Sequence, residues 1–164
     1  MAANLEVTDA QLTKFYICDT GVDLGDATKI KTALTSAKRI AYLEDLGDFT
    51  KTRETTEYKC IDEDAVAVSQ GSVSYGETEL KLFYKAGQDN GVNELSEMFD
   101  KKQRKQFIIV GDDEPATGAN KHPSYITGEF INTKAGITIN KGDVIRVPAV
   151  IKITRLDKLI PASA

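Results

Sequence analysis

The sequence has few of the residues on which specialised sites and stapled folds depend. It contains two cysteines, no tryptophan and one histidine in 164 residues. So little cysteine is typical of a reducing compartment rather than of a disulfide-stapled domain, and we expect Cys18 and Cys60 to be free thiols with a structural role. A single histidine cannot by itself build a histidine-based metal cluster.

Long apolar runs and an excess of positive charge are missing as well. No apolar stretch approaches the ~20 residues that span a bilayer, and the N-terminus has no basic segment followed by an apolar one, so we expect no secretory signal. The formal net charge of −4 argues against duplex binding, because DNA-binding surfaces are usually strongly basic. The 41% of hydrophobic and 28% of charged residues are typical of one ordinary globular domain.

Residues that could carry chemistry are scattered and have simpler explanations. His122 lies in a polar loop far in sequence from both cysteines, and no serine sits in a Gly-x-Ser-x-Gly turn. The acidic runs 62–64 and 112–114 lack the alternating ligands of a calcium-binding loop and are interpreted as solvated turns. The basic run 101–105 falls at a helix end, where it complements the helix dipole. We therefore predict no catalytic residue, no cofactor, no metal site and no enzymatic activity.

Alternation of apolar and polar residues predicts half-buried antiparallel strands over much of the chain. In the C-terminal run 143–156, Pro148 points away from the apolar face and removes a ladder donor, so that side of the strand is expected to be an edge or a bulge. The apolar face of this run consists of Ile145, Val147, Ala149, Ile151 and Ile153. Further strands are predicted at 13–18, 39–42, 106–110 and 125–131, and in three runs between 66 and 84.

One segment has helical periodicity instead. Between Asp89 and Gln103 the apolar residues recur at intervals of three and four, and charged residues occupy the other side. Asp89 or Asn90 is the predicted N-cap. A short helix within 26–34 is conceivable, but its threonines weaken that prediction. The apolar stripe of the main helix consists of Val92, Leu95, Met98 and Phe99.

Strands, one helix and further strands predict a mainly β fold with one α-helix. The expected architecture is a two-sheet β-sandwich or half-barrel with the helix packed on a flank. No linker or internal repeat divides the chain, so we expect a single domain over 1–164.

The segment 44–58 differs from its surroundings. It is highly charged, and its one central apolar residue is Phe49. A compact domain rarely carries about 15 residues of structureless connection without a reason. Two interpretations stay open on this pattern: a disordered surface excursion, or an arm that becomes ordered on a partner subunit.

The succession of these segments resembles that of siphophage major tail tube proteins, the tube subunits of lambda-like phages with long non-contractile tails. The resemblance covers about residues 39–156 and consists in the order of the segments, not in an invariant catalytic motif. The segments that carry it are Leu43–Phe49, Arg53–Tyr58, Gly71–Gly76, Glu79–Tyr84 and the helical Asn93–Phe99.

This resemblance implies a structural virion protein of the tail tube fold. Subunits of that family form hexameric rings, which stack into a tube around a tape measure protein and later conduct the viral double-stranded DNA without binding it specifically. Tail terminator and tail-tip proteins would be further partners, and no membrane would be involved. The place of assembly would be the bacterial host cytoplasm, and the final location the tail of the virion.

The resemblance also assigns roles to positions. The arm 44–58 and flexible termini at 1–12 and 158–164 would reach neighbouring subunits or rings. The candidate arm contacts are Asp45, Leu46, Asp48, Phe49, Arg53, Glu54, Glu57 and Tyr58. An acidic or neutral channel would let DNA slide, and the candidate channel-lining residues are Glu77, Glu79 and Glu129, because each sits beside the apolar face of a strand.

Two other interpretations stay open. A ring-forming tube protein of a type VI secretion system would share the fold but usually lacks this arm sequence. A β-sandwich module of a virion that binds a receptor or a carbohydrate would usually display aromatic platforms, whereas this chain has no tryptophan and scattered tyrosines.

Overall fold

The computed structural model describes residues 13–62, 64–87 and 90–164. The strands are β1 (Lys14–Asp19), β2 (Lys38–Ile40), β3 (Leu43–Asp45), β4 (Lys51–Lys59), β5 (Val66–Tyr75), β6 (Glu77–Phe83), β7 (Arg104–Val110), β8 (Tyr125–Ala135) and β9 (Arg146–Leu156), and the helices are α1 (Ala27–Leu34) and α2 (Val92–Asp100). Seven strands form an antiparallel sheet in the order β2-β1-β7-β8-β9-β6-β3, and β4 and β5 form a separate two-stranded sheet.

The seven-stranded sheet curls until its two edges lie close together. β2 and β3 are at opposite edges of the strand order, yet only Ala41 and Tyr42 connect them along the chain. So short a connection spans about 10 Å. Tyr42 makes the corner with a φ of 59°, and its carbonyl accepts a hydrogen bond of 2.9 Å from the backbone N–H of Phe83. Of the two predicted architectures, the half-barrel fits this sheet, and a sandwich of two sheets packed face to face does not.

The concave face of the half-barrel encloses the main core. Four phenylalanine rings meet there: Phe107 lies 5.9 Å from both Phe15 and Phe130 and 5.3 Å from Phe49. Aliphatic side chains from both edges and from the centre of the sheet surround the rings, among them Ile17, Ile40, Leu80, Leu82, Val147, Ala149, Ile151 and Ile153. The predicted apolar face of β9 is thus buried from Val147 onwards.

Helix α2 covers the open side of this core. Leu95 and Met98 are buried, and the side-chain amide of Asn132 in β8 donates a hydrogen bond of 2.8 Å to the Leu95 carbonyl. The predicted N-cap is wrong for Asn90, because the helix begins after Gly91, and Asp89 lies outside the described residues. Gly91 has a φ of 92°, and a Cβ there would come within 2.1 Å of Ile40 Cδ1.

The prediction of a single helix is also wrong, because α1 forms on the convex face of the sheet. The Asp26 carboxylate caps it by accepting a hydrogen bond of 2.9 Å from the Lys29 N–H. Ile30 and Ala33 are buried in a second core with Ile108 and Tyr125. The threonines that weakened the prediction face solvent, so tertiary packing outweighs their low helix propensity.

Pro148 lies where β9 has no partner on one side. The Ile145 carbonyl accepts a hydrogen bond from the Tyr84 N–H, and the Ile153 N–H donates to the Gly76 carbonyl, so the backbone groups of the odd-numbered residues of β9 point towards β6. Those of the even-numbered residues, Pro148 among them, point towards β8. The last paired residue of β8, Ala135, stands opposite Ala149, the residue that follows the proline in β9. The missing N–H therefore falls just past the end of β8, as the sequence predicts.

We expect Phe107→Ala to lower the free energy of unfolding by about 3–5 kcal/mol, because it removes the ring that touches the other three phenylalanines. Urea unfolding followed by circular dichroism measures this. Tyr58→Ala, on an exposed strand, is the matched control and should stay within about 0.5 kcal/mol of the wild type. Equal losses for the two variants would contradict the assignment of the core.

Candidate assembly interface

The strands β4 and β5 form a ribbon that leaves the body at the β3–β6 edge. The chain passes from β3 to β4 through residues 46–50, and from β5 to β6 through Gly76 alone. Gly76 connects the base of the ribbon to the sheet through two backbone hydrogen bonds. Its N–H donates to the Thr50 carbonyl (3.2 Å), and its carbonyl accepts from the Ile153 N–H (3.1 Å). The ribbon is therefore a continuation of the β3–β6 pair beyond the sheet, and at about 3.3 Å per residue it is about 30 Å long.

Neither face of this ribbon is covered by the described part of the chain. Every residue of β4 is exposed, and in β5 only Val73 and Tyr75, next to the body, are half-buried. An isolated two-stranded ribbon is at best marginally stable in water. Its apolar positions therefore remain available to another surface.

The two faces of the ribbon differ in character. One carries a stripe of apolar side chains from β5 opposite long charged side chains of β4: Val66 pairs with Lys59, Val68 with Glu57, Val73 with Arg53 and Tyr75 with Lys51. The other face carries hydroxyl side chains and Tyr58. Thr52 and Ser74, for example, are hydrogen-bonded through their hydroxyl oxygens at 2.8 Å.

The root of the ribbon is fixed in the body. Phe49 lies 5.3 Å from Phe107 and 6.3 Å from Phe15, and Leu46 packs against the same core. Between them Gly47 has a φ of 76°, and a Cβ at this position would lie 2.1 Å from the Thr78 hydroxyl oxygen. The root is thus a tight turn, closed by the hydrogen bond of 3.0 Å from that hydroxyl to the Leu46 carbonyl.

The structure divides the predicted arm into two parts. The expectation of a loop without regular structure over 44–58 is wrong, because the segment contains part of β3 and nearly all of β4. Of the candidate contact residues, Leu46 and Phe49 anchor the root, and Asp45 and Asp48 are exposed beside them. The other candidates, Arg53, Glu54, Glu57 and Tyr58, lie exposed in β4.

Sequence reasoning missed the second half of the arm. Val66, Val68, Val73 and Tyr75 alternate with small polar residues and were predicted to be half-buried in the body, whereas they line the exposed ribbon. The signal that sets this strand apart is the absence of any large side chain on its other face, where alanine, serine and glycine alternate with the valines.

The three candidate channel residues share one face of the curled sheet. Glu77 and Glu79 lie on the convex face of β6 and alternate with buried Thr78 and Leu80, and Glu77 is 3.8 Å from Lys152. Glu129 lies on the same face of β8 but is mostly buried, with Arg155 at 3.2 Å. Helix α1 covers the β1–β7–β8 part of this face, and no element of the described chain covers the β6–β9 part.

The C-terminal segment lies along the body. The Ile160 and Tyr125 backbones exchange hydrogen bonds of 3.0 and 2.9 Å, and those of Ser163 and His122 exchange 3.1 and 2.9 Å. The segment 158–164, expected to be flexible, is thus paired at two places with the start of β8. The other predicted terminus, 1–12, lies outside the described residues.

A cavity beside the end of β9 holds a satisfied polar network. About 600 Å³ in volume, it lies between the turn 21–25 and the end of β9. Arg155 donates to Asp157 (3.0 Å), Glu129 (3.2 Å) and Gln106 (3.0 Å). Because each of these groups already has its partner, the network joins β7, β8 and β9 to the turn after β1 rather than presenting a reactive group.

No other described group has the geometry of a reactive centre. The His122 ring stacks on Tyr125 at 5.7 Å, and its Nδ1 lies 2.8 Å from the Pro123 carbonyl oxygen. Within the described ranges, no three histidine, cysteine or acidic side chains group as metal ligands. Nor is any described helix long and apolar enough to cross a bilayer.

Comparison with known proteins establishes the fold. No protein-family model matches the sequence, and no curated protein matches it. Among solved structures, a chain of the anti-feeding prophage baseplate, solved with six-fold symmetry, is similar at a TM-score of 0.63 and 8% identity, over 98% of each chain. The SPP1 tail tube structure is similar at a TM-score of 0.55 and 13% identity, over 88% of this chain and 74% of the other. A chain of the virion of a native gene transfer agent particle is similar at a TM-score of 0.54 and 12% identity, over 79% of this chain and 91% of the other.

We expect the two cysteines to react very differently. Cys60 is exposed near the ribbon tip, whereas burial, aided by the charge of Asp19, raises the pKa of the Cys18 thiol to about 11. At pH 8 only about one Cys18 thiol in a thousand is then a thiolate, the form that reacts. Iodoacetamide should add one group per native chain and two per chain in urea, as measured by intact mass. Two equally fast additions to the native chain would contradict the burial of Cys18.

Proposed function

We propose that the chain is a structural subunit that polymerises as stacked hexameric rings into a phage tail tube, which forms the channel for DNA ejection. It has no catalytic role in this proposal. Its partners are other copies of itself, a tape measure protein inside the tube, terminator and tip proteins at the two ends, and double-stranded DNA in transit. Assembly takes place in the host cytoplasm, and the finished protein resides in the virion.

The observation that carries this proposal is the uncovered ribbon. Both of its faces are exposed, although one bears the stripe Val66, Val68, Val73 and Tyr75. Such a ribbon gains a core only when another molecule supplies the covering surface, because two strands alone are too few to make one. A root anchored by Phe49 holds the ribbon in a fixed direction, which suits a contact repeated identically around a ring.

The shared fold supports the same proposal. The similar chains belong to a tail tube, a gene transfer agent particle and a baseplate solved with six-fold symmetry. Identities of 8–13% do not extend their roles to this chain. The shared fold does place this half-barrel among the folds found in a tail tube, a baseplate and a virion particle.

The bare convex face is our candidate for the channel lining. Glu77 and Glu79 of β6 are interspersed there with Lys81, Lys134 and Lys152, all of them exposed. Charges of both signs side by side give a weak net field, so a passing polyanion is neither held nor strongly repelled. Glu129 is our weakest candidate, because its carboxylate is already engaged by Arg155.

A second candidate function is a single ring at the baseplate end of a tail. The similarity to a baseplate chain over 98% of both chains favours it. A tube subunit and a baseplate ring differ in whether one face of the ring accepts another identical ring, so the two candidates predict different products of assembly.

We expect the purified chain to form hollow tubes or six-fold rings when concentrated. Negative-stain electron microscopy and native mass spectrometry measure this directly. Long tubes support the tube subunit, and discrete rings that do not stack support the baseplate candidate. A chain that stays monomeric at every concentration overturns both, and glycan binding by such a monomer would favour the receptor-binding alternative.

Removing the ribbon should abolish assembly but leave the body folded. Replacing Thr52–Ser74 by Asn-Gly joins Lys51 to Tyr75, a pair already in register, through a two-residue turn. The excised strands contribute no side chain to the main core apart from the half-buried root, so the melting temperature should change little. Circular dichroism and sedimentation velocity measure both effects. A ribbon-less chain that still forms tubes would contradict the proposal.

A further inference from the structure

The tip of the ribbon presents an apolar side chain that no described residue of its own chain covers. The ribbon turns between Cys60 and Ala65, where the Cys60 N–H donates to the Ala65 carbonyl at 3.3 Å. Ile61 in this turn is fully exposed, and Asp62 and Asp64 near it are exposed as well. The tip is thus an apolar knob flanked by negative charge.

An apolar groove lies at the C-terminal end of α2. It has a volume of about 450 Å³, and Met98, Phe99 and Ile131 form much of its wall. Phe99 belongs to the apolar stripe of the helix, yet 44% of its surface is exposed instead of being buried in the core. β7 begins at Arg104 opposite Ile131, so β8 runs on past β7 and leaves this groove beside the helix end.

The rim of the groove carries a net positive charge. Lys102, Gln103 and Asp100 line it, and Arg104 follows directly. The acidic groups nearby are largely engaged: Glu97 pairs with Lys101, and Glu129 lies 3.2 Å from Arg155 but 4.0 Å from Arg104. Lys102 and Arg104 therefore outweigh Asp100, and the charge of the rim is opposite to that of the ribbon tip.

We infer that Ile61 of one copy docks into this groove of a second copy, with Asp62 and Asp64 against Lys102 and Arg104. This inference rests on the proposed self-assembly and names the surface that receives the ribbon. Apolar contact buries Ile61 against Phe99 and Ile131, and the opposite charges fix the register and disfavour other partners.

The proposed occupant of the groove is the ribbon tip of a second copy of this chain. The tip is apolar with flanking negative charge, the groove is apolar with a positive rim, and every copy carries both. Ile61 is fully exposed, and no described residue of its own chain covers it, so the proposed contact is one with another molecule. Knob and groove are different patches, and a contact between different patches is heterologous. Each docked copy still presents a free knob or a free groove to the next, which is the requirement for a closed ring or for a growing stack.

Charge exchange tests the contact. Asp62→Lys/Asp64→Lys and Lys102→Glu/Arg104→Glu should each raise the concentration needed for assembly by at least about tenfold, because like charges then face each other. An equimolar mixture of the two double variants should recover part of the assembly, since half of the possible contacts again pair opposite charges. The matched control, Asp112→Lys/Glu114→Lys, makes the same charge change on a distant exposed loop and should assemble like the wild type. Sedimentation velocity measures all four proteins.

A crosslink tests the proximity. Cys60 adjoins the knob and Cys18 is buried, so Asp100→Cys places the one further reactive thiol at the rim of the groove. Mild oxidation with copper phenanthroline should join copies into a ladder of disulfide-linked multimers, whereas Asp112→Cys should give none above the wild-type level. Non-reducing gels record the ladder.

The outcomes separate this inference from the proposed function. If the wild type assembles, but the charge variants assemble equally well and the Asp100→Cys ladder is absent, the docking site is overturned and the assembly proposal stands. If the wild type never assembles, the assembly proposal itself has failed and this contact with it. Loss of assembly in both charge variants, recovery in their mixture and the ladder together support the contact.

Discussion

The contact among four phenylalanine rings is the interaction on which the rest of the structure depends. Phe15, Phe107 and Phe130 come from neighbouring strands of one sheet, and their rings meet on its concave face. Phe49 joins them from the segment that leads into the ribbon. The same cluster thus closes the half-barrel and fixes the direction in which the ribbon leaves it, so the fold of the body and the placement of the interface have a common cause.

Sequence pattern predicts the parts of the fold that have one buried face. The apolar face of β9 and the apolar stripe of α2 can be predicted, because buried apolar residues recur there with the period of a strand and of a helix, respectively. Helix α1 was obscured by threonines that turned out to face solvent. β4 could not be predicted at all, because neither of its faces is buried and no alternation of hydrophobicity exists to mark it as a strand.

The ribbon explains why the candidate interface was only half predicted. Resemblance to a family singled out the charged strand with Arg53 and Tyr58, whereas its partner β5 was assigned to the body. Alternating valines indicate a face that is buried somewhere, but periodicity does not tell whether the covering surface belongs to the same chain. Only the three-dimensional structure shows that the apolar stripe of β5 has no cover within the described part of the chain.

An uncovered ribbon is a hazard as well as an interface, and its sequence limits that hazard. Exposed strand edges with apolar side chains pair indiscriminately unless charges interrupt them. Here Lys51, Arg53 and Lys59, together with the acidic Glu57, stand directly across from the apolar residues of β5. The row has a net positive charge, so two ribbons stacked stripe on stripe would bring mostly like charges together. A surface that offers both an apolar groove and the opposite charge avoids this repulsion. In the proposed assembly the charged strand therefore restricts the ribbon to a surface of the right chemistry, and for the acidic tip the proposed surface is the groove at the end of α2.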